Sequence, residues 1–578
     1  MFQTPVEEIL FTLSVVANLS DGEGAVEPDL AEAVVREAGR FCDEAIAPLA
    51  SVGDRIGATL KDGAVAAPPG WPALYRAWAE GGWNGLSAPE AYGGQALPHR
   101  LHIAAMEIWN AGSMAFALAP MLTAGAIEAL AAHGSEPLKA LYLPRMVSGA
   151  WTGTMNLTEP QAGSDLSTLR TRAERRDDGS YRIFGQKIYI TWGEHDLSEN
   201  IVHLVLARLA DAPSGTRGIS LFLVPKFLPD AEGRPGARND LICHSIEEKL
   251  GIHASPTCTM IFGDGRFGSE PGAVGYLIGE ENRGLACMFT MMNNARLAVG
   301  AQGVAIAEAA TQKALAYAKA REQGRAPGAA AAGPILDHPD IARTLLIMTA
   351  LTQGARAITY LCAEAVDRAH GGEASGHWRD RAAVLTPIAK SFPTDIGVEV
   401  ASLGIQVHGG MGYVEETGAA RLLRDARIAP IYEGTNGIQA IDLVTRKLPI
   451  DDGGHVRGLI DELRRISATV ALSPQPFGLS AVRLEQALDA LSTATEWLLA
   501  RLSAGDQAAA LASATAYQRL FGLVLCGSLL ARMALAGDER RVALCRFFAD
   551  QLLGETCSLS RAICEGSDSL HAARTVLA

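Results

Sequence analysis

The stretch LTEPQAGSD, residues 157–165, decides how the fold of this chain is interpreted. Its proline and glycine predict a tight loop, and Thr158, Ser164 and the backbone N–H groups offer hydrogen bonds that could grip a planar heterocycle. Taken alone, the stretch is equally compatible with an ordinary polar turn. Its meaning therefore depends on the sequence around it.

Beyond this loop the sequence changes from helical to strand-like patterns. Short runs rich in Ile, Val, Phe and Leu, bounded by Gly, Pro, Asp and Ser, predict strands. These runs occupy residues 181–191, 201–207, 218–224, 257–262 and 276–278. They predict a small β domain between helical regions.

Helical periodicity dominates the rest of the chain. A boundary falls at residues 449–454 (PIDDGG), and the leucines at 484, 488, 491, 498 and 502 share one helix face. We therefore predict an α+β fold that is mostly α. Its four parts are an N-terminal helical domain (1–150), a middle β domain (151–283), a helical bundle (284–448) and an extra C-terminal helical domain (451–578).

Composition and charge exclude several classes of protein. The 578 residues are 48% hydrophobic and 20% charged, which is typical of a globular protein. The 50 Lys and Arg against 64 Asp and Glu give a net charge of −14, which disfavours nucleic acids and anionic lipids as partners. Residues 108–127 are uncharged but contain Asn, Gly and Pro, so they predict a buried helix and turn rather than a membrane span.

The cysteines and the absence of several motifs disfavour further classes of protein. The nine cysteines are scattered, and the chain does not open like a secretory signal, so we expect a cytoplasmic protein. The sequence has no GxGxxG, Walker A, HExxH, CxxC or GxSxG motif, which disfavours nicotinamide, nucleotide-hydrolysing, zinc-protease and α/β-hydrolase chemistry. His99 and His102 lie near no cluster of carboxylates or cysteines, so no metal site is predicted.

Three further segments carry candidate functional residues. Tyr189 and Thr191 place an aromatic ring and a hydroxyl on one strand, and the glycines of residues 408–413 (HGGMGY) would let a ligand approach the backbone closely. In residues 430–439 (PIYEGTNGIQ), Glu433 sits between an apolar stretch and a glycine-rich turn. Burial by Ile428, Ala429 and Ile431 would raise the pKa of Glu433 toward that of a base near neutral pH. Considered alone, Glu433 could instead be a helix N-cap or a surface acid.

In their order, spacing and residue patterns, these segments resemble the motifs of the FAD-dependent acyl-CoA dehydrogenase family. The family's motifs read T-E-P-x-A-G-S-D, Q-K-x-W-I-T, Q-x-x-G-G-x-G and I-Y-E-G-T, and the likeness covers about residues 80–448. The extra C-terminal domain resembles that of a long branch of the family, which includes 3-methylmercaptopropionyl-CoA dehydrogenases and some broad-range fatty acyl-CoA enzymes.

The resemblance implies an FAD site, an acyl-CoA site and a catalytic base, Glu433. Residues along the flavin ring would be Met155, Leu157, Thr158, Ser164, Tyr189 and Thr191. The diphosphate and adenine of a neighbouring subunit's FAD would be met by Arg321, Gln323, Gln406, Gly410, Thr435 and Asn436. The CoA substrate would be met by Ser164, Asn293, Arg296 and Gly434. Tyr189 stands where tryptophan is commoner in the family, and Asn293 where many relatives have an acid.

The resemblance also implies the reaction and its partners. The reaction would be the α,β-dehydrogenation of an acyl-CoA thioester to the trans-2-enoyl-CoA, as in β-oxidation, by a homodimer or larger oligomer that passes electrons to an electron-transferring flavoprotein. An acyl-CoA oxidase and a non-catalytic or DNA-binding flavoprotein are the alternatives. Residues 451–578 contain twelve Arg and fourteen Asp and Glu, and this net negative charge argues against DNA binding.

Overall fold

The computed structural model describes residues 2–22, 24–371 and 374–577. The chain forms two compact units, each built from separated segments. Unit 1 comprises Met1–Gly39, Pro98–Ala111 and Arg296–Ala578, and unit 2 comprises Arg40–Leu97 and Gly112–Ala295. This division does not follow the four successive domains expected from the sequence. The boundaries of those domains stay predictions.

The described part of the chain is mainly helical. Its α-helices are α1 Val6–Val15, α2 Pro28–Phe41, α3 Ala47–Ile56, α4 Trp71–Glu80, α5 His99–His133, α6 Glu136–Val147, α7 Gly284–Ala320, α8 Pro339–Arg368, α9 Ser375–His408, α10 Ala419–Ala426, α11 Asn436–Asp442, α12 Gly454–Leu472, α13 Ser480–Ser503, α14 Gln507–Ala536, α15 Glu539–Gln551, α16 Glu555–Glu565 and α17 Ser567–Ala573. Helices α2, α5 and α7 each have residues in both units.

All the strands lie in unit 2. They are β1 Thr59–Lys61, β2 Ala64–Ala66, β3 Trp151–Asn156, β4 Arg172–Arg175, β5 Tyr181–Thr191, β6 Asn200–Leu209, β7 Ile219–Pro225, β8 Phe227–Pro229, β9 Pro235–Arg238, β10 Leu241–Ile246, β11 Thr257–Phe262 and β12 Ala273–Ile278. The main sheet has the order β10-β11-β5-β12-β7-β6-β3. Because β4 pairs with both β5 and β6, the strands β5, β12, β7, β6 and β4 form a closed ring.

Alternating side chains of this ring fill its interior. Ile183, Val205, Phe222 and Val224 are fully buried there, in one cluster of apolar residues. Strands β6 and β7 are almost entirely buried, which explains why their sequences are continuous apolar runs rather than alternating ones. The sequence therefore predicted a β domain here correctly.

In unit 1, helices α8, α9 and α14 pack together closely. Gly354 of α8 leaves no room for a Cβ beside Cys526 of α14, and Gly522 of α14 leaves none beside the Phe392 ring of α9. These glycines bring the helix axes near each other, because a side chain at either position would push the helices apart. The extra C-terminal region is thus packed directly onto the bundle through α14.

Helix α5 contains the uncharged segment 108–127. Ser113 has an extended backbone (φ −159°, ψ 105°), which breaks the helix where the chain passes from unit 1 to unit 2. By length and composition alone, α5, α8 and α14 are apolar enough to cross a membrane, and 83%, 78% and 78% of their most apolar windows are buried in the protein. The predicted buried helix at residues 108–127 is present, but in place of a turn the helix only kinks at Ser113.

Candidate active site

A buried ion pair fixes the loop of residues 157–165 to strand β5 in unit 2. Lys187 Nζ lies 2.8 Å from Glu159 Oε1 and donates to the Leu157 carbonyl at 3.0 Å. Glu159 also accepts hydrogen bonds from the backbone N–H groups of Arg170 and Thr171 at 2.7 and 3.0 Å. Burial disfavours the charged carboxylate, but Lys187 and these hydrogen bonds outweigh it and lower the pKa of Glu159 to about 2.

The same loop and strand present groups that can hold a flavin. Ile188 N–H donates to the Thr158 carbonyl at 2.9 Å, which places Thr158 beside the strand that carries Tyr189 and Thr191. Tyr189 has a φ of 60° and is 59% exposed. Such a left-handed backbone is costly for a tyrosine, and strain of this kind concentrates at functional sites.

Unused hydroxyl groups support the same interpretation. Within the described residues, the side chains of Thr158, Ser164 and Thr191 have no hydrogen-bond partner, so they are free to bond the polar edge of a ligand. Met155 and Leu157 are partly buried on the same unit and offer apolar contacts. An exposed ring, three free hydroxyls and apolar side chains are what a flavin ring requires, so these residues fit FAD.

The candidate base, Glu433, lies in unit 1 on the turn between α10 and α11. Its φ is 56°, another left-handed residue that is not glycine, and it is partly buried. Burial raises the pKa of Glu433 from its ordinary value of 4.5 to about 7, although the positive charges of Arg296 and Lys390 lower it. The raised pKa agrees with the sequence prediction, but Ile431 is 49% exposed and contributes less burial than expected.

Hydrogen bonds hold this turn in its unusual conformation. The Tyr432 hydroxyl donates to Gln302 of α7, and Gln439 Nε2 donates to the Glu433 carbonyl at 3.2 Å. Asn436 N–H donates to the Pro430 carbonyl at 2.9 Å. The N–H of Glu433 donates to no atom in the described part of the chain, so it can donate to a bound substrate.

The turn also excludes the alternative interpretations of Glu433. Thr435 is the N-cap of α11, because its side chain accepts from the Ile438 N–H, so Glu433 does not cap that helix. Partial burial likewise distinguishes Glu433 from an ordinary surface acid.

Thr435 and Asn436 differ from the other predicted cofactor residues. The Thr435 hydroxyl is used in the N-cap, and Asn436 is 8% exposed with both ends of its side-chain amide bonded inside unit 1. The prediction assigns both side chains to the cofactor. In the structure both side chains support the turn, the O–H donor of Thr435 remains available, and the contacts of both residues with the cofactor stay predictions.

The remaining predicted residues are placed as follows. Arg321 donates to Gln323 Oε1 at 3.1 Å, and both are exposed in unit 1, as are Gln406 and Gly410. A Cβ added at Gly410 would meet no atom of the chain within 4 Å, which leaves the backbone open to a ligand. Gly434 follows Glu433 with a φ of 84°. Asn293 is exposed in unit 2 and Arg296 is partly buried in unit 1, and their contacts with CoA stay predictions.

Sequence reasoning missed two functional features. Glu159 and Lys187 are quoted in the motifs, but their pairing across 28 residues is visible only in the fold. Lys390 is buried in α9 beside the Glu433 turn and belongs to no quoted motif. The only signal for Lys390 was a single charged residue within the otherwise uncharged stretch 382–394.

Four family models match almost the whole chain. They are the N-terminal domain of acyl-CoA dehydrogenases over residues 28–150, the middle domain over 154–264, the C-terminal domain over 282–448 and an acetyl-CoA dehydrogenase C-terminal-like domain over 462–574.

Individual relatives agree with these matches. The chain is 45% identical to the 3-methylmercaptopropionyl-CoA dehydrogenase of Ruegeria pomeroyi, over 98% of this chain and 99% of that protein. A solved acyl-CoA dehydrogenase complexed with FAD from Bacillus anthracis has the same fold, with a TM-score of 0.76 and 20% identity over 96% of this chain and 91% of that one. A chain from a study of the electron transferring flavoprotein of Acidaminococcus fermentans gives a TM-score of 0.59 and 27% identity, over 72% of this chain and 96% of that one.

Proposed function

The chain belongs to the acyl-CoA dehydrogenase family, and from that premise we propose that it oxidises 3-methylmercaptopropionyl-CoA or a short or medium fatty acyl-CoA. The protein is an FAD-dependent acyl-CoA dehydrogenase. The observation that carries the active-site proposal is Glu433, which has a pKa near 7, a left-handed backbone and an unused N–H group.

Glu433 supplies two functions to the reaction. Its carboxylate takes the α-proton of the acyl thioester, since a base with a pKa near the working pH combines the ionised form with sufficient basicity. Its N–H donates to the thioester oxygen, where negative charge develops as the proton leaves. A donor of this kind is worth about 3–4 kcal/mol, and a positioned base contributes roughly 10²–10⁴ in rate.

The cofactor supplies the redox chemistry. FAD, when bound, accepts the β-hydride, and the side chains that would hold its ring in unit 2 are Met155, Leu157, Thr158, Ser164, Tyr189 and Thr191. The free hydroxyls among them would bond the ring's polar edge, and Tyr189 would cover its apolar part. The chain's own part is to bind and orient the thioester and to move the α-proton.

The substrate is tested by anaerobic titration of the purified yellow protein. The panel is 3-methylmercaptopropionyl-CoA, butyryl-CoA, octanoyl-CoA and palmitoyl-CoA, and the measurement is bleaching of the flavin absorption band. We expect complete bleaching by the sulfur-containing or the C4–C8 thioesters, because the Ruegeria pomeroyi relative is similar over nearly the full length. Bleaching by palmitoyl-CoA alone would contradict the proposed substrate class.

We infer an electron-transferring flavoprotein as the electron acceptor. The likeness to a chain from the Acidaminococcus fermentans study supports this acceptor over oxygen. Substrate-reduced enzyme mixed with air-saturated buffer should therefore form little hydrogen peroxide. Rapid, stoichiometric peroxide formation would instead identify an acyl-CoA oxidase.

We also propose a cellular setting for the enzyme. All nine cysteines are free thiols, as expected in the cytoplasm, where we place the protein as a homodimer or larger oligomer acting in β-oxidation. The negative charge of residues 451–578 supports neither nucleic acid nor an anionic surface as a partner.

A further inference from the structure

A buried lysine joins the two ends of the turn that carries Glu433. The Lys390 side chain is fully buried in α9, where an isolated ammonium would cost several kcal/mol. Its Nζ donates to the Ala429 carbonyl at 2.9 Å and to Asn436 Oδ1 at 2.8 Å. Ala429 precedes the turn and Asn436 follows it. Lys390 therefore ties both ends of the turn to the same point of α9.

The orientation of Asn436 reinforces this attachment. Its Nδ2 donates to Asp395 Oδ1 at 2.7 Å and to Thr394 Oγ1 at 3.0 Å. Because a carboxylate can only accept, the amide nitrogen must point to Asp395 and the amide oxygen to Lys390. The side chain thus has one favourable orientation, and Lys390 is the donor that satisfies its oxygen.

This attachment matters because the turn is strained. A non-glycine residue with a φ of 56°, as at Glu433, has an unfavourable backbone conformation that persists only when its surroundings enforce it. Lys390 supplies that enforcement from α9 through its bonds to Ala429 and Asn436, and the Tyr432 hydroxyl adds a contact with α7. Releasing either end would let the carboxylate leave its position.

Burial and the nearby positive charges act on the pKa of Glu433 in opposite directions. Arg296 on α7 and Lys390 on α9 both favour the ionised form of Glu433, while burial opposes it. Burial lowers the pKa of Lys390 to about 7, and the carboxylates of Glu433 and Asp395 raise it. Tyr432, on the turn itself, is partly buried, and burial raises the pKa of its hydroxyl far above the ordinary value. Lys390 thus both contacts the two ends of the turn and lowers the pKa of Glu433.

We propose that Lys390 is the positioning residue of the catalytic base: it holds the Glu433 turn through Ala429 and Asn436, and its ammonium favours the ionised carboxylate. The inference rests on Glu433 acting as the base in the proposed function. Lys390 acts only through Glu433 and contacts no reacting atom.

The test compares pH profiles of flavin-loaded enzyme with butyryl-CoA as substrate. In Lys390→Met, loss of the ammonium should move the midpoint of the kcat/KM profile upward by about one unit, the low end for an opposite charge nearby. The loss of kcat/KM in Lys390→Met relative to wild type should then be about tenfold greater at pH 6 than at pH 9. Lys390→Arg keeps the charge and should keep the wild-type midpoint.

Lys313→Met is the matched control. Lys313 is a partly buried lysine of unit 1 that, like Lys390, donates to a backbone carbonyl, that of Thr417 at 2.6 Å, but it is not among the charges that act on Glu433. The midpoint of the kcat/KM profile of Lys313→Met should equal that of wild type. If Lys390→Met does not fold, Lys390→Gln takes its place, because glutamine keeps a donor and lacks the charge.

A second readout does not depend on activity. The difference in Tm between a protein with Glu433 and the same protein with Glu433→Gln, followed from pH 5 to 9, reports the titration of Glu433. In the Lys390→Met background this titration should move to higher pH by the same shift as the kinetic midpoint.

The outcomes separate the two proposals. A Lys390→Met enzyme that is slower by one constant factor at every pH, with an unmoved Glu433 titration, would overturn the role of Lys390. If Glu433→Gln itself is fully active, the assignment of the base fails instead, whatever Lys390→Met shows.

Discussion

Glu433 is the residue whose replacement tests the chemistry most directly. Glu433→Gln preserves shape and hydrogen bonding but cannot take a proton, so flavin reduction should fall by at least about 10². FAD content and Tm at pH 5 should remain close to wild type, because Thr435, not Glu433, caps α11. The measurement is anaerobic stopped-flow reduction by butyryl-CoA.

Glu416→Gln is the control for this substitution. Glu416 is an exposed carboxylate of the same unit, so its loss should leave the reduction rate unchanged. A Glu433→Gln enzyme as fast as Glu416→Gln would mean that another group takes the α-proton.

The raised pKa of Glu433 predicts how stability depends on pH. Its pKa in the folded protein is about 7, above the ordinary 4.5, so the folded state holds the proton more tightly than the unfolded state. The resulting stability is present below pH 4.5 and is lost as the pH rises to 7, by up to about 3 kcal/mol. The Tm of wild type minus that of Glu433→Gln should therefore fall between pH 5 and 8, and a rising difference would contradict the assigned pKa.

For single residues, the sequence indicates the candidate base but not the residues that hold it in place. An apolar lead-in and a following glycine made Glu433 a candidate. Lys390 bonds residues 39 and 46 positions away, and no local pattern encodes such contacts. The same applies to Asn436, whose motif position suggested a ligand contact while its bonds are internal.

Among the secondary-structure elements, β5 and its loop depend on the Glu159–Lys187 pair. Lys187→Met leaves the carboxylate buried without its cation, which should destabilise unit 2 by roughly 3–5 kcal/mol. The pKa of Glu159 is lowered to about 2, so the stability from this pair is present above pH 4.5 and is lost as the pH falls toward 2. Hydrogen exchange of residues 157–171 and the Tm measure the effect.

Lys139→Met is the matched control for Lys187→Met. Lys139 pairs with Glu136 at 3.0 Å in the same unit, but that glutamate is 82% exposed. Lys139→Met should lower the free energy of unfolding by less than about 1 kcal/mol. Equal effects of the two substitutions would show that burial of the Glu159 pair has no energetic consequence.

Strands were predictable where apolar residues mark them. The boundaries of β5, β6, β7 and β11 agree with the sequence prediction within two residues, whereas β3 was missed. Strand β3 buries polar side chains: the Thr152 hydroxyl lies 3.0 Å from both His195 and Ser198. A strand whose buried groups are satisfied by distant partners carries no apolar signature.

For the whole molecule we predict assembly through the helices after Gly284. Arg321 and Gln323 are exposed, as expected of residues that would reach a neighbouring subunit's FAD, and Tyr413 beside the glycine turn is 89% exposed. Light scattering of the flavin-loaded protein should give at least twice the chain mass of 60.9 kDa. A flavin-loaded monomer would contradict this prediction.

The sequence analysis predicts four successive domains, whereas each of the two units is built from segments that are separated in the sequence. The pattern of residues 108–127 indicates a turn, but not that the chain changes unit there, at Ser113. Which segments join one core depends on contacts between residues far apart in sequence, such as the ion pair of Glu107 with Arg356 at 2.7 Å.

The separated segments of unit 1 also determine when it can be completed during synthesis. Helix α1 is held by residues near the other end of the chain: Glu8 accepts two hydrogen bonds from Arg541, 533 positions later, each 2.8 Å long. A ribosome adding about 5–20 residues per second needs roughly half a minute to two minutes to make the intervening chain. During that time the first helix has emerged without Arg541, so unit 1 can close around α1 only when translation is nearly complete.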